Sequence, residues 1–395
     1  MRLLVRAGST TSSGHALSIA TARALGQALA EALDSIGSAV PAARMPCRCK
    51  LRDPCMAQGE PHTLNVLVWV GSTDAPDPME DVETRHWLSA GANASAVAVV
   101  PEDTNPDEVL PSALRDRQVV RWSGRPETAA LDVLAAAEVT TVERRIFISY
   151  SHLDGIELAH AVFRTLAEAR FAVFLDAFAL APGSDFAERI EHELLEKAFL
   201  ILIETPMALA SNWVMREVAF ARQHRLGLAT VQPDPTGQRL AGIGRSRRWI
   251  VPDGTLSTSP AGGPSLAPAA AEDLHEFVVR RHAEAMLRRR HVLDVGLRAA
   301  LRRNGIGGSR VSPIAGGIRV NGGAHRWAVS LRPRPASLID MHTAARQRPP
   351  AHRSVMVSAT PRGRPERDAL SWLAHESSIS HWDEGRLLSL AQMLA

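Results

Sequence analysis

The middle of the chain alternates short apolar runs with stretches of helical periodicity. The apolar runs cover residues 146–150, 172–175, 199–203 and 226–231. Apolar residues recur at helical spacing between the first two runs as Leu158, Ala159, Val162, Phe163 and Leu166, and between the next two as Phe186, Ile190, Leu194 and Ala198. Strands that alternate with single helices predict a parallel sheet with helices on both faces. Ligands of such sheets bind at the carboxyl ends of the strands.

Two polar segments are predicted to meet at that edge of the sheet. The first is residues 149–154, Ser-Tyr-Ser-His-Leu-Asp, which follows the first strand. The second, residues 211–217, places Trp213 and Glu217 four positions apart and therefore on one face of a helix. Together these segments indicate an active-site edge.

Four features of this region, in this order, resemble a Toll/interleukin-1 receptor (TIR) domain of the bacterial type. They are Phe147-Ile-Ser-Tyr-Ser-His-Leu-Asp154, Val173-Phe-Leu-Asp176 with the loop Ala181-Pro-Gly-Ser-Asp-Phe186, the strand at 199–203, and Ser211-Asn-Trp213 with Glu217, which matches the family's Ser-x-Trp-x-x-x-Glu. The resemblance implies an α/β fold with a flavodoxin-like parallel sheet, in a domain over residues 143–290 whose core is 143–232. Residues 233–270 are rich in Pro, Gly and Ser and are predicted to be an extended loop or linker.

TIR domains are either scaffolds that assemble or enzymes that cleave NAD+, and the glutamate matched by Glu217 separates the two kinds. Cleavage of the nicotinamide–ribose bond builds positive charge on the sugar, which a nearby carboxylate stabilises. Nicotinamide leaves as a neutral base, so no general acid is required. The resemblance therefore implies an NAD+ glycohydrolase with Glu217 as its catalytic residue, NAD+ as its substrate and no required cofactor. The co-product is ADP-ribose or a cyclic isomer.

Six residues at strand ends or beside Glu217 are candidates for contacts with the substrate: Phe147, Ser149, Tyr150, Asp154, Asp176 and Trp213. Most of them also have a structural interpretation. Phe147 and Trp213 fit a packed core, and Ser149, like its neighbour Ser151, fits a helix cap. The two aspartates fit a helix N-terminus and a turn. Both interpretations stay open.

In the TIR family the loop after the second strand mediates the assembly of domains that completes the active site. The resemblance assigns this role to Ala181, Pro182, Gly183 and Phe186. Because a constantly active enzyme would be toxic, we expect self-association and a protein or nucleotide activator to gate the activity. Bacterial proteins similar to this one commonly act in antiphage defence, a context that comes from the resemblance alone.

Two further regions flank this domain. Residues 1–140 predict an N-terminal α/β accessory domain with strands near 3–5, 64–70, 96–100 and 118–122 and a helix over 13–33. Their order echoes the TIR pattern, which indicates a degenerate TIR-like or other doubly wound unit. Residues 305–395 predict a C-terminal accessory domain of the α+β or α/β class, with strands near 318–320, 327–331 and 355–358.

Charge and hydropathy narrow the range of partners. The chain has 45 basic and 42 acidic residues and a net charge of +3, which argues against nucleic acid as a general partner. Arginines are concentrated in residues 273–304 and at 245–248, where either a phosphate-rich partner or the solvated face of an amphipathic helix accounts for them. No apolar run is long enough to cross a bilayer and charge interrupts the start of the chain, so a cytoplasmic protein without a membrane partner is expected.

The three cysteines lie close together and are followed by a histidine. Cys47, Cys49, Cys55 and His62 have the spacing C-x-C-x5-C-x6-H, which matches no standard structural zinc pattern. Thiols stay reduced in a cytoplasmic protein, so the cluster indicates either a zinc site or three free thiols.

Two other functions stay open beside the enzyme. One is a non-enzymatic TIR adaptor that recruits another protein. The other is a nucleotide-sensing protein in which a flanking region binds a signal and the TIR unit transmits it. The pair formed by Trp213 and Glu217 favours the enzyme, because a scaffold has no need of it.

Overall fold

The computed structural model describes most of the chain outside the first third. The described residues are 2–7, 20–29, 65–71, 78–89, 94–115, 119–122, 124–136, 144–175, 186–258, 262–314, 316–323, 325–347, 352–359 and 364–395. They form three sheets of four or five strands and one two-stranded hairpin. None of the described helices is both long and apolar enough to cross a membrane.

The N-terminal sheet is parallel and its described strands lie in chain order. They are β1 (Arg2–Ala7), β2 (Asn65–Val70), β3 (Ala94–Pro101) and β4 (Val119–Trp122). The described helices are α1 (residues 20–29), α2 (Pro78–Ser89), α3 (Pro106–Val109), α4 (Ser112–Arg115) and α5 (Pro126–Ala136). Apolar side chains of α1 and α5 pack on one face of the sheet, whereas those of α2, α3 and α4 pack on the other. The predicted α/β unit therefore has helices on both faces, and its relation to a TIR domain stays a prediction.

The middle sheet has five parallel strands in the order β6-β5-β7-β8-β9. The strands are β5 (Arg145–Ser149), β6 (Ala172–Leu175), β7 (Phe199–Ile203), β8 (Gly227–Gln232) and β9 (Arg248–Ile250). The second strand lies on one side of the first and the third strand lies on the other, so the order reverses at β5. This is the flavodoxin-like order, and the predicted fold class is confirmed.

Helices cover both faces of the middle sheet. They are α6 (Ile156–Glu168), α7 (Phe186–Lys197), α8 (Pro206–Ala210), α9 (Asn212–Gln223) and α10 (Pro268–Arg303). Side chains alternate along a strand, so Ile146 and Ile148 of β5 face α6 and α10, whereas Phe147 faces α7 and α9. Both faces are buried, which explains why β7 is apolar at every position.

Helix α10 lies unusually close to the amino edge of this sheet, at Gly227. A Cβ atom on Gly227 would lie 2.1 Å from the Phe199 ring and 2.6 Å from the Cβ of Ala285. Only a glycine fits between the strand and the helix at this position. The close contact fixes how α10 sits on the domain.

The prediction of an extended loop or linker over residues 233–270 is wrong in two places. Strand β9 completes the sheet, and β10 (Leu256–Thr258) pairs with β11 (Pro264–Leu266) as a hairpin. A buried ion pair between Arg248 and Glu204 holds the segment in place, with 2.7 Å between Arg248 Nε and Glu204 Oε2. Strand β9 is only three residues long, too short for a pattern of apolar residues to predict it from the sequence.

Helix α10 is continuous over 36 residues and joins the middle domain to the C-terminal region. The predicted boundary at residue 290 therefore falls inside a helix. Leu297 and Leu301 near its end pack in the C-terminal core. The interpretation of its arginines as a solvated face is wrong for Arg289, which is buried.

The C-terminal sheet has five strands in chain order, two antiparallel pairings followed by two parallel ones. The strands are β12 (Val311–Ile314), β13 (Gly317–Gly322), β14 (His325–Leu331), β15 (Arg353–Ser358) and β16 (Ile379–Asp383), and the helices are α11 (Leu338–Gln347), α12 (Arg364–Ser377) and α13 (Leu387–Leu394). The end of α10 and α13 cover one face, and α11 and α12 cover the other. This mixed sheet agrees with the predicted α+β or α/β class.

Candidate active site

The predicted catalytic carboxylate lies next to the end of the first strand of the middle sheet. Glu217 is on α9 with 4% of its surface exposed, and Ser149, the last residue of β5, is 1% exposed. The Ser149 hydroxyl donates a hydrogen bond to Glu217 Oε2. Because Ser149 shares a strand face with Phe147, its side chain points to the helix layer that contains α9.

The start of α9 sets the direction of Glu217. Ser211 is the N-cap, and its hydroxyl accepts a hydrogen bond from the backbone nitrogen of Val214 at 3.3 Å. With the helix starting at Asn212, helical spacing turns Val214, Glu217, Val218 and Ala221 to the sheet. The Ser-x-Trp-x-x-x-Glu motif thus combines a helix cap with an inward-facing carboxylate.

A small cleft opens beside Glu217 between α7 and α9. Its volume is about 160 Å³, and its lining residues are Ile190, Glu191, Leu194, Trp213, Arg216, Glu217, Ala219, Phe220 and Gln223. The Arg216 guanidinium lies 5.8 Å from the centre of the Trp213 ring and 3.5 Å from the Glu191 carboxylate. The cleft therefore brings a cation, an aromatic ring and two carboxylates together.

A larger cavity, which Trp213 also lines, lies at the carboxyl edge of the sheet. Its volume is about 500 Å³, and its lining residues are Tyr150, Ser151, His152, Leu153, Met207, Ala210, Ser211, Trp213 and Val214. The Tyr150 and His152 rings stack with their centroids 4.8 Å apart. This volume lies within the range of about 300–1,000 Å³ that is typical of small-molecule sites. Trp213 is the wall that both cavities share.

Two predicted substrate contacts have structural partners, and one of them, Asp154, also lines a further cavity of about 470 Å³. Phe147 is fully buried and stacks on Phe174 at 5.1 Å, so it belongs to the core and lines neither cavity described above. Asp154 accepts hydrogen bonds from the Thr205 hydroxyl at 2.7 Å and from the backbone nitrogen of Met207 at 2.9 Å. Its carboxylate therefore caps the N-terminus of α8. The sequence alone does not reveal that the capped helix lies fifty residues downstream of Asp154.

The prediction that the two serines cap the following helix is wrong. Ser151 accepts a hydrogen bond from the backbone nitrogen of Leu153 at 3.2 Å in the turn before α6, whose N-cap is Gly155 without a side-chain hydrogen bond. Ser149 caps no helix and instead contacts Glu217. Of the six predicted substrate contacts, the structure places Ser149, Tyr150 and Trp213 beside Glu217 or beside the larger cavity.

Several predicted site residues lie outside the described part of the chain. They are Asp176 and the assembly-loop residues Ala181, Pro182 and Gly183, together with the zinc candidates Cys47, Cys49, Cys55 and His62. Phe186 begins α7, and its side chain is not among those described. Within the described ranges, no group of three or more His, Cys, Asp or Glu side chains is arranged to hold a metal ion.

Two charged groups near the carboxyl edge were not predicted from the sequence. Arg216 lies inside the motif that contains Trp213 and Glu217, yet helical spacing alone did not indicate that its guanidinium lies over the tryptophan ring. Glu204 directly follows β7, and its hydrogen bonds from Arg248 and from the Leu240 backbone lower the pKa of its carboxyl group despite the opposing effect of burial. The signal for Glu204 was its position at a strand end, the same signal that identified Asp154.

The fold and site define a doubly wound α/β domain of the flavodoxin-like class, with a buried carboxylate beside the carboxyl end of its first strand. Comparison with known families is more specific: the family model described as "TIR domain" matches residues 146–251. The middle of this chain is a TIR domain. The matched segment ends at Val251 and so includes β9, in agreement with the sheet. No curated protein matches the chain.

Proposed function

We propose that this chain is an NAD+ nucleosidase that cleaves the bond between nicotinamide and ribose. The observation that carries the proposal is the hydrogen bond from Ser149 to the buried carboxylate of Glu217, beside a cleft walled by Trp213. A buried carboxylate is costly to maintain without a partner, and here a strand-end hydroxyl holds it in one orientation. A preorganised carboxylate of this kind is what an oxocarbenium-like transition state requires.

The proposed reaction needs few groups. The C–N bond breaks with both electrons going to the pyridinium ring, so nicotinamide leaves as a neutral molecule and positive charge develops on the ribose. The Glu217 carboxylate stabilises that charge, while Ser149 acts as a positioning residue that holds Oε2 in place. Water then attacks the sugar and releases a proton, which gives ADP-ribose, or an adenine nitrogen attacks and gives a cyclic isomer.

Trp213 supports this chemistry through its environment. It lines both the small cleft beside Glu217 and the larger cavity. We propose that it keeps water from Glu217 when substrate is bound, which strengthens the attraction between the carboxylate and the developing cation. The Arg216 guanidinium beside the ring is 60% exposed and is a candidate to contact a substrate phosphate. We assign substrate contacts to Trp213, Tyr150 and Arg216.

The test follows nicotinamide release from NAD+ by chromatography with the full-length protein, Glu217→Gln and Glu191→Gln. The matched control removes a carboxylate from the same cleft, one that pairs with Arg216 instead of receiving the Ser149 hydrogen bond. We expect Glu217→Gln to lose about a hundredfold or more in rate and Glu191→Gln to lose much less. Release that survives in Glu217→Gln would refute the catalytic assignment. The co-product identifies a hydrolase or a cyclase.

A second candidate function is a TIR adaptor that works by association. Three exposed apolar side chains near the carboxyl edge favour it, because exposed apolar surface is typical of protein interfaces. They are Leu153, 77% exposed, Ile156, 40%, and Met207, 43%. Self-association at such a surface is also how we propose that the enzyme is gated. Light scattering of the full-length protein, combined with the NAD+ assay over a range of protein concentrations, separates the two functions. An enzyme gated by assembly gains specific activity as it associates, whereas an adaptor associates without releasing nicotinamide.

A further inference from the structure

The structure collects arginines from two distant segments at the outer side of the middle domain. Trp249 Nε1 donates a hydrogen bond to Asp273 at 2.7 Å, which joins β9 to the first part of α10. Helix α10 runs from the carboxyl edge of the sheet to its amino edge, where Ala285 meets Gly227. Arg247 precedes Trp249 by two residues and therefore lies on the same side of the Trp249–Asp273 contact as the residues of α10 that follow Asp273, and its charge acts on Arg281 and Arg288.

Those residues of α10 are strongly basic. Arg281, Glu284 and Arg288 are spaced three and four positions apart, so they share one face of the helix, and Arg280 adjoins them. Together with Arg247 they form the arginine cluster, four guanidinium groups and one carboxylate. The only ion pair among them in the described structure joins Arg281 Nη1 to Glu284 Oε2 at 2.9 Å. The cluster thus has an excess of three positive charges.

The arginine cluster is not an ordinary solvated face. Only 15% of the Arg281 side chain is exposed, and its Nε is buried without a hydrogen-bond partner among the described residues. Burial lowers the pKa of Arg281 most strongly, and repulsion from Arg280, Arg247 and Arg288 lowers it further, against the raising effect of Glu284. Burial and Arg247 also lower the pKa of Arg288.

A second arginine on the same helix shows the usual arrangement. Arg298 is also partly buried, yet its Nε lies 2.9 Å from Asp294 one turn earlier. The arginine cluster lacks enough carboxylates for such pairing. Repulsion between partly desolvated guanidinium groups costs free energy, and a bound anion would remove that cost.

We propose that Arg247, Arg281 and Arg288 bind a small ligand that carries two or more linked phosphate groups. The planar guanidinium forms paired hydrogen bonds with phosphate oxygens, and several such groups favour an anion with several charges. Arg281 and Arg288 are seven residues apart, about 10 Å along the helix axis, which suits an oligophosphate chain. Glu272 and Glu276 lie on the preceding turns, and both form ion pairs with Arg125. On this described surface the unpaired positive charge is therefore confined to the arginine cluster, which is too short for the backbone of a long nucleic acid.

The test is a calorimetric titration of the full chain with inorganic tripolyphosphate at low ionic strength. The variant Arg281→Gln with Arg288→Gln is compared with Arg302→Gln and Arg303→Gln, which removes the same charge from an exposed part of the same helix. We expect the wild type and the control to bind equally and the cluster variant to lose about tenfold or more in affinity per arginine. Equal affinity in all three proteins, or no binding by the wild type at millimolar tripolyphosphate, would overturn the proposal.

Two further arms keep the test decisive. If the double variant fails to fold, the single variant Arg247→Gln, in a surface turn, replaces it and is expected to weaken binding by about tenfold. Adenosine triphosphate and a single-stranded oligonucleotide at equal phosphate concentration distinguish a nucleotide from a nucleic acid as the source of the phosphates. Binding of the oligonucleotide without binding of tripolyphosphate would refute a small ligand. The arginine cluster is separate from Glu217. Tripolyphosphate binding and nicotinamide release are therefore measured independently, and a negative result for one does not imply a negative result for the other.

Discussion

A buried histidine under the TIR sheet predicts that the domain loses stability in mild acid. His282 of α10 is 3% exposed and lies between two rings, with centroids 5.4 Å from that of Phe199 and 6.4 Å from that of Phe171. Burial, with a smaller contribution from the nearby charge of Arg144, lowers the pKa of His282 from 6.5 to about 3. The imidazole is therefore neutral in the folded protein throughout the range in which it becomes charged in an unfolded chain.

The sign and the size of the effect follow from this shift. Below pH 6.5 the unfolded state binds a proton that the folded state does not, so the contribution of His282 to stability is complete above that pH and decreases as the pH falls towards about 3. Each pH unit below 6.5 removes about 1.4 kcal/mol. The free energy of unfolding of the domain should therefore be about 2 kcal/mol lower at pH 5 than at pH 7.5 because of this one group.

The measurement is chemical denaturation of the wild type and His282→Gln at both pH values. Glutamine cannot become charged, so the difference in stability between the two proteins should change by about 2 kcal/mol in favour of the variant on acidification. His375→Gln, at an exposed position, is the control for a lost histidine elsewhere and should follow the wild type. Parallel pH profiles for the wild type and His282→Gln would refute the reasoning.

Three further predictions concern the middle domain. Arg248→Met leaves the charge of the buried Glu204 carboxylate without its ion-pair partner and should lower the free energy of unfolding by about 3–5 kcal/mol. Arg248→Met combined with Glu204→Gln should lower it by less, and unfolding curves of both variants test this difference. Gly227→Ala forces a Cβ against the packed Phe199 ring and should lower the free energy of unfolding by about 1–3 kcal/mol. The shift of the thermal midpoint measures this loss, and an unchanged midpoint would contradict the packing. Under the proposed function, Ser149→Ala should lower kcat by about ten- to a hundredfold with little change in KM, because Ser149 orients Glu217 and does not bind substrate; an equal loss through KM alone would contradict a positioning role.

The first strands of the middle domain were predictable because they are continuous apolar runs, and β7 among them is buried at every position. Residues 172–175 and 199–203 have the predicted bounds, since a continuous apolar run leaves little choice of position. Strand β9 was not predictable in this way. It is three residues long, and the group that holds it, Glu204, lies 44 residues away in the sequence. Pairings over that distance leave no local pattern.

The candidate site was predicted in part for a related reason. The motif identified Glu217 and Trp213, and strand-end position identified Ser149, but only the alternation of β5 decides that Ser149 faces α9 while Ile148 faces the opposite layer. Asp154 occupies an equivalent strand-end segment, and its carboxylate caps a helix. Position at the carboxyl edge therefore indicates where a ligand binds without indicating which polar side chains are free to contact it.

The helix that carries Glu217 is held at both of its ends by groups from outside its own layer. At its N-terminal half, the Ser149 hydroxyl from β5 contacts the carboxylate itself. At its C-terminal end, the buried guanidinium of Arg289 donates a hydrogen bond to the carbonyl oxygen of His224. The same guanidinium donates to the Pro333 carbonyl and, at 3.1 Å, to the Glu384 carboxylate, so it bonds the C-terminal region as well.

A cation at the carbonyl end of a helix is favourable, and a buried one cannot leave its partners without a large cost. A displacement of the C-terminal sheet relative to α10 must therefore break hydrogen bonds of Arg289 or move the end of α9 with it. The accessory region and the candidate catalytic helix are joined by one side chain at a distance from the cleft. Arg289 therefore connects the C-terminal region directly to the helix on which Glu217 lies, and a signal received by that region can reach the helix through this side chain.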